Sequence, residues 1–329
     1  MTLAVENLSV TLATARGPLA AVRGLSFTLG RGESLGIVGE SGCGKTMTAL
    51  AIMGLLPEGA EVGGRIVWDG QDLLSLADDA MGRLRGRRLA MVFQEPMTAL
   101  NPVQTIGDQI AEALLVHDLA DRVGAMREAV ALLERVGIAD PERRVRGYPH
   151  QLSGGQRQRA MIAMALACKP DVLIADEPTS ALDVTVQQQI LGLIRSLAAE
   201  RGMAMLLISH DLAVVAGNVA RLLVMYAGRG VEWGETAQMF GALAHPYAQG
   251  LFRSAPARAL TATTRPRRLP TIAGQVPDLV TLGEGCPFAE RCDLVEEPCR
   301  SRMPEWQALA PEHRVACRRA EESLRRWKP

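Results

Sequence analysis

Eight residues, GESGCGKT at 39–46, carry the densest chemical signal in the chain. They match the pattern G-x-x-x-x-G-K-[ST], follow the apolar run SLGIVG (34–39) and precede TMTALAIMGLLP. That strand-to-helix context is what the pattern requires to hold a nucleoside polyphosphate. Glycines at this spacing let the backbone curl until its N–H groups point inward at phosphate oxygens. The start of the following helix adds positive dipole character at the same place. Lys45 can then reach the β- and γ-phosphates, and the Thr46 hydroxyl can ligate Mg²⁺. A second apolar run, DVLIADEP (171–178), ends in Asp176 and Glu177. Asp176 is placed to hold Mg²⁺ through water. The adjacent Glu177 is placed to orient or deprotonate an attacking water.

A third group lies near the end of the chain. Cys286, Cys292, Cys299 and Cys317 follow C-x5-C-x6-C-x17-C, with His313 four residues before the last. Spacing alone leaves three readings open: unlinked thiols, a metal site and disulfides. Zinc takes tetrahedral sulfur and nitrogen ligands, often at closer spacing, with His313 able to replace one cysteine. A [4Fe–4S] cluster takes four thiolates at more varied spacing. Cys43 fills a variable slot of the phosphate loop and is assigned no chemistry.

The elements that must position these groups read as α/β. Short apolar runs LAVENLSV, AVRGLSFTL, SLGIVG and GGRIVWDGQDL read as strands, as do DVLIADEP, MAMLLISHD and RLLVMYAGRG. Pro57 is read as ending the helix after the phosphate loop. Residues 105–168 read as mostly helical, with Ile106, Ile110 and Leu114 on one face and Met126, Val130 and Leu133 on another. Gly137 stops the second of these helices. Asp183 is the expected N-cap, and Gly202 the stop, of the helix between them. Apolar strands alternating with helices imply a mostly parallel sheet. The stretch RSAPARALTATTRPRRLP (253–270) lacks periodicity and reads as a linker.

Composition limits the function classes. Lys plus Arg equals Asp plus Glu at 36 each, so no global field favours nucleic acid. No run of eighteen apolar residues marks a membrane span. The start MTLAVENLSV has no basic n-region, so a reducing compartment is expected and structural disulfides are disfavoured.

LSGGQ (152–156), followed by RQR, narrows the reading. It resembles the signature of ATP-binding-cassette (ABC) ATPases. The likeness runs over roughly 1–245, with the motifs in family order: phosphate loop, Gln94 in VFQEP, LSGGQ, Asp176-Glu177, SALD at 180–183, and His210 in LLISHD. The resemblance implies a P-loop NTPase fold of the ABC type with a helical subdomain at about 95–168. It implies ATP held by Gly39, Ser41, Gly42, Gly44, Lys45, Thr46 and the Met47 N–H, and Mg²⁺ by Thr46, Gln94 and Asp176. Two cassettes would close head to tail, so that Ser153, Gly154, Gly155 and Gln156 bind the γ-phosphate of the partner's ATP. Glu177, His210, Gln94 and Lys45 would be the catalytic set, and Asp183 would join the two sites. Leu12 stands where the family usually stacks an aromatic residue on adenine.

FQEPMTALNP (93–102), DEPTSALDVTVQQQIL (176–191), HPYAQGL (245–251) and CPFAERC (286–292) resemble the D-type ATPase subunits of bacterial oligopeptide, dipeptide and nickel importers. That likeness implies an ATPase domain at 1–250 and a cysteine-containing extension at 251–329. It implies a peripheral place on the cytoplasmic face of the membrane. The partners it implies are a second, different ATPase subunit, two membrane permeases and, indirectly, an external solute-binding protein. The solute would be a di- or oligopeptide, with nickel as the alternative. Similar tails imply a [4Fe–4S] cluster on the four cysteines, with Zn²⁺ second.

Overall fold

The computed structural model describes residues 2–179, 182–254 and 271–327. Most of the linker-like stretch, and Ser180 and Ala181 of SALD, lie outside them. In chain order the strands are β1 (Thr2–Thr14), β2 (Gly17–Gly30), β3 (Ser34–Val38), β4 (Glu61–Trp68), β5 (Gln71–Asp72), β6 (Leu89–Val92), β7 (Val172–Asp176), β8 (Ala204–Ser209), β9 (Arg221–Tyr226), β10 (Arg229–Glu235), β11 (Gln307–Ala310) and β12 (His313–Val315). The chain divides into two compact units.

One unit comprises Leu29–Glu33 and Ser75–Leu207. Its strands lie in the order β8-β7-β6, and β6 and β7 are parallel with Val92 opposite Ala175. β6, β7 and β8 are buried along their whole length, which is why they read as unbroken apolar runs. Helices Ile106–Val116 and Arg122–Arg135 pack together, capped by Thr105 and Asp121. Ile106, Ile110 and Leu114 are buried as expected. In the second helix the deepest face is Ala125, Ala129, Leu132 and Leu133, not the Met126–Val130 stripe. Gly137 has φ +75, as a C′ residue should, and Gly202 stops the Val184–Arg201 helix at φ +60.

The other unit comprises Thr2–Thr28, Ser34–Leu74 and Ile208–Pro329. Here the expectation of a mostly parallel sheet is corrected. β2-β1-β4-β5 form an antiparallel sheet. In β1 the buried residues change from Leu3 and Val5 to Leu8 and Val10 because a bulge at Glu6–Ser9, with Asn7 at φ +48, shifts the register. In the second sheet β3 and β9 are parallel, but β9, β10, β12 and β11 run antiparallel in that order. RLLVMYAGRG is two strands, broken by a two-residue turn at Ala227 (φ +47) and Gly228 (φ +82). Positive φ at both central residues matches the twist of a hairpin. The helix after the phosphate loop spans Lys45–Met53 and stops at Gly54 (φ +62), three residues before Pro57.

The tail is better packed than its composition implies. The β11–β12 hairpin extends the sheet from β10, and Val315, Cys317 and Ala320 join a small core with Ala244. Among the described residues no helix is long and apolar enough to cross a membrane.

Candidate functional site

In the unit that holds β3, the phosphate loop leaves the strand at Val38 and enters the helix at Lys45. Two glycines there have no substitute. A Cβ on Gly39 would lie 2.2 Å from the Met225 carbonyl oxygen, and one on Gly44 2.2 Å from that of Ala21, with Gly44 already at φ +99. Gly44 is the N-cap and gives no side-chain cap, and no acidic residue sits in the first helical turn. The first N–H groups of this helix are therefore left for an anion. Ser41 and Gly42 are exposed, and Thr46 and Met47 half-buried. Lys45 is 4% exposed, and its Nζ donates to the carbonyls of Gly39 at 2.8 Å and Glu40 at 3.1 Å. The ammonium thus lies folded over the loop. The Cys43 thiol is buried 3.9 Å from it, and burial outweighs the nearby charge and pushes the thiol up from its ordinary value. Leu12 is half-buried on β1. His210 is exposed just beyond β8.

In the other unit, the parallel pairing of Val92 with Ala175 carries Gln94 and Glu177 out of adjacent strand ends together. Gln94 Nε2 donates to Glu177 Oε2 at 3.1 Å, which leaves the amide oxygen of Gln94 for a cation. Asp176 is 1% exposed at the end of β7. Glu177 has φ +43, a left-handed conformation disfavoured for a residue with this side chain. Backbone strain of this kind collects at functional sites.

Ser153 caps the Gly154–Leu166 helix: its Oγ accepts from the Gln156 N–H at 3.3 Å, and Gln156 Oε1 accepts from the Ser153 N–H at 3.0 Å. This capping box does not use the Ser153 hydroxyl proton or the Gly154 and Gly155 N–H groups. It also occupies Oε1 of the Gln156 side chain. Asp183 caps the Val184–Arg201 helix through the N–H groups of Thr185 and Val186.

Cys286, Cys292, Cys299 and Cys317 line one small apolar cavity with His245, Phe288, Ala289, Leu294, Val295 and Pro304. All four are free thiols. Burial and one another's proximity push Cys286 up to about 11 and Cys317 up to about 12. Among the described residues, however, no group of three or more Cys, His, Asp or Glu side chains is placed to hold a metal ion. The zinc variant that borrows His313 is corrected. His313 Nε2 lies 2.8 Å from Glu232 Oε1, both side chains almost fully buried, and it does not line the cavity. His245 lines the cavity; burial pushes its imidazole down to about 3, and its Nδ1 accepts from the Tyr247 N–H at 3.1 Å.

Three residues of functional position escaped the sequence reading. Glu40, inside the phosphate loop, is bonded to Arg291 and Tyr247. Its only sequence signal was an acid in a loop built for anions.

The ABC transporter family model matches residues 22–180, and the oligopeptide/dipeptide transporter C-terminal region matches 231–299. A Sinorhizobium fredii protein named "Probable peptide ABC transporter ATP-binding protein" is 51% identical over 92% of this chain and 90% of its own. The oligopeptide transport ATP-binding protein OppD of Salmonella typhimurium is 44% identical over 98% of this chain and 95% of its own. The dimeric structure of a bacterial ABC transporter cassette superposes with a TM-score of 0.64 at 26% identity, over 71% of this chain and 98% of that one. With the phosphate loop, the signature helix and the Gln94–Glu177 pair in place, the chain belongs to the ATP-binding proteins of ABC transporters, in the oligopeptide/dipeptide group, and is a transport-coupled ATPase.

Proposed function

We propose that this chain hydrolyses MgATP to drive uptake of di- or oligopeptides, seated on the cytoplasmic face of a membrane against two permease subunits. Gly39, Ser41, Gly42, Gly44, Lys45, Thr46 and the Met47 N–H hold the triphosphate. Thr46, Gln94 and Asp176 offer the hard oxygen donors that suit Mg²⁺, which would neutralise charge on the β- and γ-phosphates. Glu177 takes the proton of the attacking water, and His210 positions that water against the γ-phosphate. A second, homologous ATPase subunit supplies its signature in trans, and Ser153, Gly154, Gly155 and Gln156 serve the partner's ATP in return. Asp183 joins the two sites. The dimeric cassette structure supports this pairing. Phe93, Met97 and Val103, 37%, 63% and 79% exposed around Gln94, support a permease contact that reports on Mg²⁺ through Gln94. The C-terminal family match and both named relatives favour peptides over nickel. A solute-binding protein acts outside the membrane. The reading keeps an ATPase domain at 1–250, its helical subdomain at about 95–168, and the extension at 251–329.

The observation that carries hydrolysis is Glu177 itself, turned into a left-handed backbone and held by Gln94. Glu177→Gln keeps the shape and removes the base. Turnover is expected to fall about 10²–10⁴-fold while an ATP-loaded dimer accumulates; turnover at the parent rate would refute the role.

For the tail we propose a [4Fe–4S] cluster on Cys286, Cys292, Cys299 and Cys317. What supports it is the shared cavity. A [4Fe–4S] cluster takes four thiolates, the number of cysteines that line this cavity. Bound metal would hold these high-lying thiols as thiolates.

A further inference from the structure

A carboxylate in a phosphate-binding loop is an electrostatic contradiction. Glu40 sits between Gly39 and Ser41, where its charge opposes the triphosphate the loop must receive. The structure resolves it from far along the chain. Arg291 grips the Glu40 carboxylate with both arms of its guanidinium, Nη1 to Oε2 at 2.7 Å and Nη2 to Oε1 at 3.1 Å. The Arg291 side chain is 4% exposed and that of Glu40 26%. Arg291 is itself fixed on every side. Its Nε donates to the Ala273 carbonyl at 2.8 Å, Nη1 to the Tyr226 hydroxyl at 3.1 Å and Nη2 to the Ile272 carbonyl at 3.3 Å. The guanidinium also lies 5.8 Å from the Tyr226 ring centre and 5.7 Å from that of Phe288.

The same loop residue is held at two further points. The Glu40 N–H donates to the Tyr247 hydroxyl at 2.8 Å, and the Glu40 carbonyl accepts from Lys45 Nζ at 3.1 Å. The Tyr247 ring packs against Tyr226 and Phe288, with centres 4.5 and 5.4 Å apart. Phe288 and Arg291 belong to the CPFAERC segment. An aromatic cluster and a bidentate ion pair therefore run from the cysteine segment to the loop's second residue, whose carbonyl helps to set the position of Lys45.

We propose that Arg291 is a positioning residue for ATP binding: it neutralises and anchors Glu40, and through it the cysteine segment sets the affinity of the phosphate loop for MgATP. The inference rests on the reading of residues 39–46 as the ATP site. Removing Arg291 releases a negative charge into the loop and frees the backbone that holds Lys45. Lysine at this position keeps charge but loses the fork.

The test is equilibrium binding of MgATP to the full chain by calorimetry, with KM and kcat measured alongside. Arg291→Ala is expected to weaken binding about tenfold, or 1.4 kcal/mol, raising KM by a similar factor while kcat changes less. Adding Glu40→Gln to Arg291→Ala removes the uncompensated charge and should bring affinity back to within about threefold of the parent. A residue that only braces the tail gives no such rescue. Parent affinity in Arg291→Ala overturns the proposal, as does a double variant no better than the single one. If Arg291→Ala does not fold, Arg291→Lys takes its place, with about threefold weakening that Glu40→Gln relieves; parent affinity there overturns the proposal equally. Lys45→Ala separates the two levels. Retained binding in that variant means the phosphate-loop reading has failed, whereas lost binding there with none lost in the Arg291 variants refutes only the role of Arg291.

Discussion

Glu232 offers the sharpest stability prediction. It is fully buried on β10 and accepts from the N–H groups of Ala244 at 2.8 Å and His245 at 2.9 Å, while His313 Nε2 lies 2.8 Å away. One carboxylate thus ties the β12 strand and the start of the Pro246–Arg253 helix to the sheet. Glu232→Ala leaves two buried backbone donors without an acceptor, at about 1–3 kcal/mol each, and strips His313 of its partner. The sum falls in the range of about 3–5 kcal/mol for breaking a buried pair from one side. Glu232→Gln keeps one acceptor oxygen and should lose roughly half as much. The damage should be local, so hydrogen exchange on the full chain is the suitable assay. Amides of residues 244–245 and 313–315 should exchange at least a hundredfold faster in Glu232→Ala, with those of β6 and β7 unchanged. Parent-like protection at 244–245 would refute the reasoning, because it would mean those donors had found other acceptors at no cost.

Three further outcomes follow from the site. Gly44→Ala should abolish MgATP binding in the same calorimetric assay, because the added Cβ meets the Ala21 carbonyl in a backbone already at φ +99. Cys43 should resist iodoacetamide at neutral pH in the folded chain and react once the chain is denatured: burial raises its pKa, so the reactive thiolate fraction stays below that of an ordinary thiol and grows only as pH rises. Labelling at the rate of free cysteine would contradict this. Anaerobic purification should yield about four irons and four sulfides per chain, lowered in Cys299→Ser; one zinc and no iron would return the tail to a structural zinc module, and no metal would leave four plain thiols.

Local chemistry was legible in the sequence, and distant pairing was not. The loop at 39–46, the caps at Asp183 and Gly202, and the buried runs of β7 and β8 each depend on residues within a few positions, so a linear reading reaches them. RLLVMYAGRG misled because Ala227 at positive φ carries no composition signal of a turn. The antiparallel sheet β2-β1-β4-β5 was missed because alternation reveals a strand but not its neighbour. His313 entered the zinc alternative as a replacement for one cysteine because it is close in sequence to Cys317, while its partner in the fold, Glu232, is remote. Glu40 and Arg291 are separated by 251 positions, and neither residue type alone names the other.

The parallel pairing of β3 with β9, Leu35 opposite Arg221 and Val38 opposite Val224, also has a consequence during synthesis. The strand that feeds the phosphate loop is made early, yet its β9 neighbour emerges only after the whole 75–207 stretch. At elongation speeds of about 5–20 residues per second, that edge of β3 waits roughly 10–40 s on the ribosome. The 75–207 stretch, nearly continuous in the chain, has that time to fold first. The hairpin that extends the same sheet from β10 arrives later still. The nascent chain must therefore keep an apolar strand from pairing wrongly until β9, ending at Tyr226, has appeared, and competence to bind nucleotide comes only after the 75–207 stretch has been made.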